Sequence, residues 1–310
     1  MVAVKSRSKS LKDTEIAINK DSTLESVLHA ISKNNRNISK YRLRVSYLKE
    51  SKQVPITEET FFKDGDNKNI ELYVKDLGPQ ISWRLVFVIE YFGPLLVHAI
   101  VYYLSLNPEF MAKYGSSKTT NVNPTLNKIA FFMVMGHYLK REFETLFVHK
   151  FTLATMPLFN VFKNSFHYWI LNGIISLGYL GYGFVVPNCC YEKVLNYVGL
   201  NNLNSLVSLF IVSELWNAYI HIRLRIFGDQ QRKIGNNTKR VPISTGIFKI
   251  FVAPNYTFEV WSWIWFALAF KLNLFAVLFV TVSATQMYLW AMKKNRRYGT
   301  RRSFIIPFIF

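Results

Sequence analysis

The chain has 310 residues, of which half are hydrophobic, 16% aromatic and only 18% charged. That composition excludes a disordered chain and argues against a soluble globule. The net charge of +19 is uneven, with fifteen Lys/Arg against eleven Asp/Glu in residues 1–76 and 23 against 8 in residues 77–310. Basic residues placed between long apolar runs fit loops at an anionic membrane surface, and nucleic acid is not an expected partner. The two cysteines, Cys189 and Cys190, are neighbours, so neither a disulfide framework nor a zinc spacing is expected.

Residues 1–76 read as a small cytosolic α+β domain. VAVKSRS and EIAINKDS alternate as the strands of a hairpin. Asp21-Ser22-Thr23 caps a helix over LESVLHAISKN, whose Leu24, Val27, Leu28 and Ile31 recur at helical spacing. YRLRVSYL and NIELYVKDL are further strands, and the order matches a ubiquitin-like β-grasp domain. The polar N-terminus has the features of neither a signal peptide nor a transit peptide, so the first apolar run is expected to direct membrane insertion.

Residues 77–310 predict an all-α polytopic membrane helix bundle of about six to seven spans. Runs at 83–106, 127–139, 166–186 and 203–222 and two within 245–291 approach or exceed the roughly 20 residues of a crossing. Phe151–Phe162 is a candidate seventh span or re-entrant piece. With the N-terminus cytosolic, the cytosolic connections (140–163, 223–249, 293–302) hold 17 Lys/Arg and the opposite ones hold 4. That split obeys the positive-inside rule and places both termini in the cytosol.

No GxGxxG precedes a helix, and GxxxxGK[ST], HxxxH, HxxHH and HExxH are absent. Rossmann, P-loop, di-iron and zinc-protease chemistry therefore lack their ligands, and no metal is expected. Gly178, Gly181 and Gly183 read as close helix packing. Five of the eight acids of the membrane part, Glu90, Glu142, Glu144, Glu214 and Glu259, lie in or beside spans. With Asn217 and His221 they fit either inter-helix ion pairs or a polar cavity within the bundle. GHYLKREFETLFVHKF gathers His137, Tyr138, Lys140, Arg141, Glu144 and His149. RVPISTGIFKIFVAPNYTFE joins Arg240 to Asn255 and Tyr256, with Glu259 one turn beyond Asn255 on the same helix face. An Asn and a Glu so placed suit an amide or a ribose, and a tyrosine beside Lys and Arg suits a proton donor. The tail NRRYGTRRSFIIPFIF is a cationic rim for phosphates or a positive-inside anchor.

These two segments and the tail resemble the steroid 5α-reductase family, and within it the very-long-chain trans-2-enoyl-CoA reductase branch of fungi. The matching stretches run from His137 to His149, from Arg240 to Glu259 and from Arg301 to Phe310, and the ubiquitin-like start fits that branch. The resemblance implies the last reductase of the microsomal fatty-acid elongation cycle, feeding sphingolipid synthesis from the endoplasmic reticulum membrane. It implies NADPH held by Asn217, His221, Arg240, Asn255, Glu259, Tyr298 and Arg302. Tyr256 is the expected proton donor, with Lys140 and Arg141 lowering its pKa or binding CoA phosphate; the rival assignment polarises the substrate carbonyl with Glu90 and Tyr138. The elongase, the 3-ketoacyl-CoA reductase and the 3-hydroxyacyl-CoA dehydratase of the cycle are expected partners. Other readings are a sterol or polyprenol reductase, a methyltransferase of similar bundle, and a non-catalytic membrane scaffold. The topology predicts that the sequons at Asn37, Asn236 and Asn255 stay unmodified. Endoglycosidase treatment should leave the electrophoretic mobility unchanged, and a shift would contradict the orientation.

Overall fold

The computed structural model describes residues 1–19, 21–49, 52–57, 61–62, 70–117, 122–151, 153–235 and 241–306. The chain forms two compact units, one of Met1–Trp83 with Leu153–Asn160 and one of Arg84–Thr152 with Val161–Phe310.

In the first unit, β1 (Val2–Ser6), β2 (Thr14–Ile16), β3 (Leu43–Lys49), β4 (Lys52–Pro55) and β5 (Leu72–Asp76) form one sheet of order β2-β1-β5-β3-β4. The central β1–β5 pair is parallel and the remaining pairs are antiparallel. Alternation along the strands turns Val4, Ile16, Val45 and Leu72 inward to Val27 and Ile31 of α1 (Leu24–Asn34). The α1 cap falls on Thr23, whose hydroxyl accepts from the Ser26 amide while the Ser26 hydroxyl accepts from the Thr23 amide. A separate pair joins β6 (Gln80–Ser82) to β7 (Thr155–Pro157).

The β7 strand corrects one expectation. The run 151–162 supplies β7 and the start of α5 (Phe159–Ser165), and the helix is far too short to span. Pro157 lacks the amide that a continuous helix would need there.

The second unit is built from α2 (Trp83–Ser105), α3 (Pro108–Tyr114), α4 (Pro124–Phe143), α6 (Asn188–Val198), α7 (Leu203–Lys233), α8 (Pro254–Ala269) and α9 (Leu274–Tyr298). Asn107, Asn123, Asn202 and Asn273 each cap the helix that follows with the side-chain oxygen. Helices α2, α7 and α9 are long and apolar enough to cross a membrane, and the chain reads as a mostly helical membrane protein. Helix α4 is diluted by Lys128, Lys140, Arg141 and Glu142, and α8 has 16 residues. The run from 166 is a π-helix over Phe166–Asn172 followed by a 3-10 helix over Gly173–Leu180.

Aromatic packing holds the bundle, with Tyr91, Tyr138, Tyr179, Trp263, Phe266 and Phe270 in one buried cluster. Two of the glycines expected to pack closely do so: a Cβ on Gly178 would lie 2.6 Å from the Phe270 ring and one on Gly183 2.7 Å from Asn273, while Gly181 ends the 3-10 helix at φ +88°.

In the first unit the buried Asp76 carboxylate accepts from Arg42 Nε (3.0 Å) and Nη2 (2.6 Å) and from the Ser10 hydroxyl (2.7 Å). The Arg42 guanidinium, with these hydrogen bonds, holds this carboxyl down from the usual 3.8 to about 2. A depressed carboxyl stabilises the fold above its unfolded pKa and loses that contribution as the pH falls through the folded value. Asp76→Asn should therefore cost about 1–2 kcal/mol near neutrality, and the deficit should fade between about pH 4 and 2. Hydrogen exchange of β3 and β5 in the full chain measures both.

Candidate active site

The second unit contains a lattice of buried charged side chains where α4, α7 and α8 meet. Residues His137, Lys140, Arg141 and Glu144 recur every three or four positions and so share one face of α4 and its continuation. Glu214, Asn217 and His221 do the same on α7. Lys140 Nζ lies 2.6 Å from both Glu214 Oε2 and Asn217 Oδ1. His137 stands between two carboxylates, with Nδ1 2.9 Å from Glu214 and Nε2 3.3 Å from Glu259 of α8. Asn217 Nδ2 donates to the Asn255 carbonyl (2.8 Å) and to Glu259 (3.1 Å).

Past Phe143 the helix widens into a π-helical turn, Glu144–Val148, that carries Glu144 into the protein. Arg141 donates to Glu144 (2.9 Å) and to the Tyr91 hydroxyl of α2 (2.6 Å), and its guanidinium lies over the Tyr91 ring. His221 Nδ1 is 2.9 Å from Glu144. Ligand atoms of Glu144, His149 and His221 lie within 4.8 Å of one another, a spacing that suits a cation. The Arg141 guanidinium, bonded to the same carboxylate, already supplies the positive charge there. Burial, and then the charges of Arg141 and His221, push His149 down to about 3, so its ring is neutral.

The buried polar atoms without a hydrogen-bond partner among the described residues include the Tyr138 hydroxyl, Glu90 Oε1 and Asn255 Oδ1 beside the lattice, and Glu144 Oε1 and Glu214 Oε2 within it. Groups of this kind are uncommon in proteins, and one that faces a site is open to bonding by a ligand. Tyr138 packs by its ring against Tyr91, His137, Tyr168 and Trp263. Glu90 is 1% exposed on α2.

Tyr256 lies one residue beyond Asn255, in a neighbouring group. Its ring packs against Trp290 of α9, and Lys294 Nζ sits 4.2 Å from the ring centroid. The tail is bound alongside: Val252 N donates to Ser303 O (3.0 Å), Ser303 N donates to Ile250 O (2.9 Å), and Arg302 Nη1 donates to Ile243 O (2.8 Å). Tyr298 is the last residue of α9 and is half-buried. Arg240 lies outside the described residues.

The structure thus joins Lys140, Arg141, Asn217, His221, Asn255 and Glu259 in one lattice, flanked by Glu90 and Tyr138, and sets Tyr256 with Arg302 and the tail in the adjoining group. The sequence marks His137, Glu144 and Glu214 as polar residues of the spans without a site role, and does not mark Tyr91. His137 and Glu214 were detectable from their helical spacing to Lys140 and Asn217. Lys140→Met should leave Glu214 with only His137, which it shares with Glu259, and cost about 3 kcal/mol. The double variant Lys140→Met/Glu214→Gln should recover part of that loss in thermal unfolding in detergent.

Comparison with known proteins shows the family. Residues 154–310 match the family model described as 3-oxo-5-alpha-steroid 4-dehydrogenase. A Schizosaccharomyces pombe protein described as an enoyl reductase is 38% identical over 275 residues, covering 86% of this chain and 85% of its own. The very-long-chain enoyl-CoA reductase of Dictyostelium discoideum is 36% identical over 282 residues, 86% of each chain. A Caenorhabditis elegans protein described as a very-long-chain enoyl-CoA reductase is 35% identical over 277 residues, covering 84% of this chain and 83% of its own. The chain therefore belongs to the steroid 5α-reductase family, among relatives described as very-long-chain enoyl-CoA reductases, and is an oxidoreductase.

Proposed function

We propose that the protein reduces very-long-chain trans-2-enoyl-CoA to the saturated acyl-CoA with NADPH. That is the last step of the fatty-acid elongation cycle, here in the endoplasmic reticulum membrane, and its products feed sphingolipid synthesis. The observation that carries this reading is the set of unpartnered buried atoms of Tyr138, Glu90 and Asn255 beside a fully charged lattice. The names of the relatives support the same substrate class.

The residues fit a nicotinamide cofactor. Asn255 Oδ1, buried and unpartnered, suits an amide or hydroxyl donor; Asn217 bonds its carbonyl and Glu259, and His221 is held at Glu144 in the same lattice. Arg240, Arg302 and Tyr298 suit the phosphates and ribose at the cytosolic mouth. The chemistry supplied by bound NADPH is a hydride for Cβ of the enoyl thioester. Tyr256 donates its phenolic proton to Cα. Lys140 and Arg141 hold the lattice and bring positive charge toward the developing oxyanion and the CoA phosphates. Tyr138 and Glu90 carry a second reading, favoured by their unpartnered atoms: they bind the thioester oxygen and supply the proton.

The same reading takes α2, α4, the run from 166, α7, α8 and α9 as six spans with both termini cytosolic. It takes residues 1–76 as a ubiquitin-like β-grasp domain, supported by the strand order and the crossing helix, and residues 77–310 as the catalytic domain. The β-grasp domain docks the elongase, the 3-ketoacyl-CoA reductase and the 3-hydroxyacyl-CoA dehydratase. Detergent-purified protein, given NADPH and a very-long-chain trans-2-enoyl-CoA, should form saturated acyl-CoA. Tyr256→Phe should lower kcat about 100-fold or more at an unchanged melting temperature. Retained turnover in that variant, with collapse in Tyr138→Phe, would move the proton to the second pair. A wild type that reduces only sterols or polyprenols would overturn the substrate.

A further inference from the structure

An apolar groove of about 430 Å³ runs between α4 and α7. Its walls include Ile129, Phe132, Phe210 and Ile211, and one end is closed by His137, Lys140 and Glu214 of the charged lattice. The other end lies at Lys128. From Lys128 to Lys140 the helix rises about 18 Å, at about 1.5 Å per residue. The groove is thus a long apolar slot that starts at the candidate active site and opens along its length where Phe132 and Leu215 are exposed.

Gly136 lies in this groove. A glycine inside a helix costs about 1 kcal/mol relative to alanine, so packing or function has to account for it. Packing accounts for Gly93, Gly173 and Gly178, where an added Cβ would press on Trp169, Val97 and Phe270. At Gly136 an added Cβ would meet nothing within 4 Å. What the missing side chain leaves open is the groove itself.

We propose that this groove takes the acyl chain of the thioester substrate, and that Gly136 keeps it open next to the charged lattice. The inference rests on the reductase reading above. The occupant follows from the two ends of the slot. A bilayer lipid would set its polar head at the exposed Lys128 end and bring only hydrocarbon to the lattice end, where His137 and Glu214 are 2% and 11% exposed in their side chains. An acyl thioester has its polar carbonyl where the chain begins, so its carbonyl end meets the lattice while the chain follows the apolar walls. Side chains introduced at Gly136 then act on long substrates more than on short ones.

Two measurements test this. With wild-type protein in detergent, a very-long-chain acyl-CoA carrying a diazirine along its chain should label peptides 128–140 and 207–215. Labelling of other helices, or labelling of this groove by a diazirine phosphatidylcholine and not by the acyl-CoA, would overturn it. In turnover, Gly136→Leu should lower the ratio of kcat/KM for a very-long-chain enoyl-CoA to that for trans-2-hexenoyl-CoA by about tenfold or more. An unchanged ratio would also overturn it. If the wild type is labelled in the groove but reduces no enoyl-CoA, the acyl-chain site stands and the reductase reading falls.

Discussion

Everything else in the second unit depends on neutralising charge inside an apolar bundle. Three carboxylates, buried Glu144 and Glu214 and largely buried Glu259, sit together with buried His137 and His221 and largely buried Lys140 and Arg141. A single unpaired carboxylate in such a place costs several kcal/mol, so none of these groups can shift alone. Each cation instead spans two helices or more. Lys140 ties α4 to α7, His137 ties α4 to α7 and α8, and Arg141 ties α4 to α2 through the Tyr91 hydroxyl. The lattice therefore fixes the rotation and depth of four helices. Apolar packing alone would leave these loosely specified, because lipid competes equally well for an apolar face.

The same constraint supplies a rigid wall for chemistry. A polar group already held by several partners does not reorganise when charge appears beside it, which is the condition for electrostatic stabilisation of a transition state. Around this wall lie polar atoms left open, on Tyr138, Glu90 and Asn255, and the phenol of Tyr256 with Lys294 over its ring. The bound tail closes the adjoining side through Arg302 and Ser303. An unpartnered atom next to a charged network is costly for folding and useful for binding, and both properties come from the same burial.

Much of this was legible in the sequence because it is local. The first helix, with its cap at Thr23, and the strands near Val2–Ser6 and Leu43–Lys49 follow from period and capping chemistry within a few residues. The long apolar runs gave α2, α7 and α9 for the same reason. The lattice was half legible. Carboxylates within apolar runs marked it, and helical spacing groups His137 with Lys140 and Glu214 with Asn217, but which helix faces which is a matter of tertiary packing. The contact between Tyr256 and Lys294 joins residues far apart in the chain. The mechanism drawn from the family resemblance assigns Lys140 and Arg141 to lower the pKa of that tyrosine or to bind CoA phosphate, whereas the structure engages those two with Glu214, Asn217, Glu144 and Tyr91. The run 151–162 misled because its apolar content resembles a span, while Pro157 and the pairing of β7 with β6 give it a different use.

The central claim is that this charged lattice is the wall of a site that adds hydride and proton across an enoyl thioester. The most direct measurement follows the two hydrogens. Wild-type protein is given a very-long-chain trans-2-enoyl-CoA and NADPH deuterated at the transferable position, in ordinary water, and then unlabelled NADPH in heavy water. The account predicts a saturated acyl-CoA with one deuterium at Cβ in the first case and one at Cα in the second. Cofactor deuterium at Cα, or no saturated product from a folded and stable protein, would contradict it.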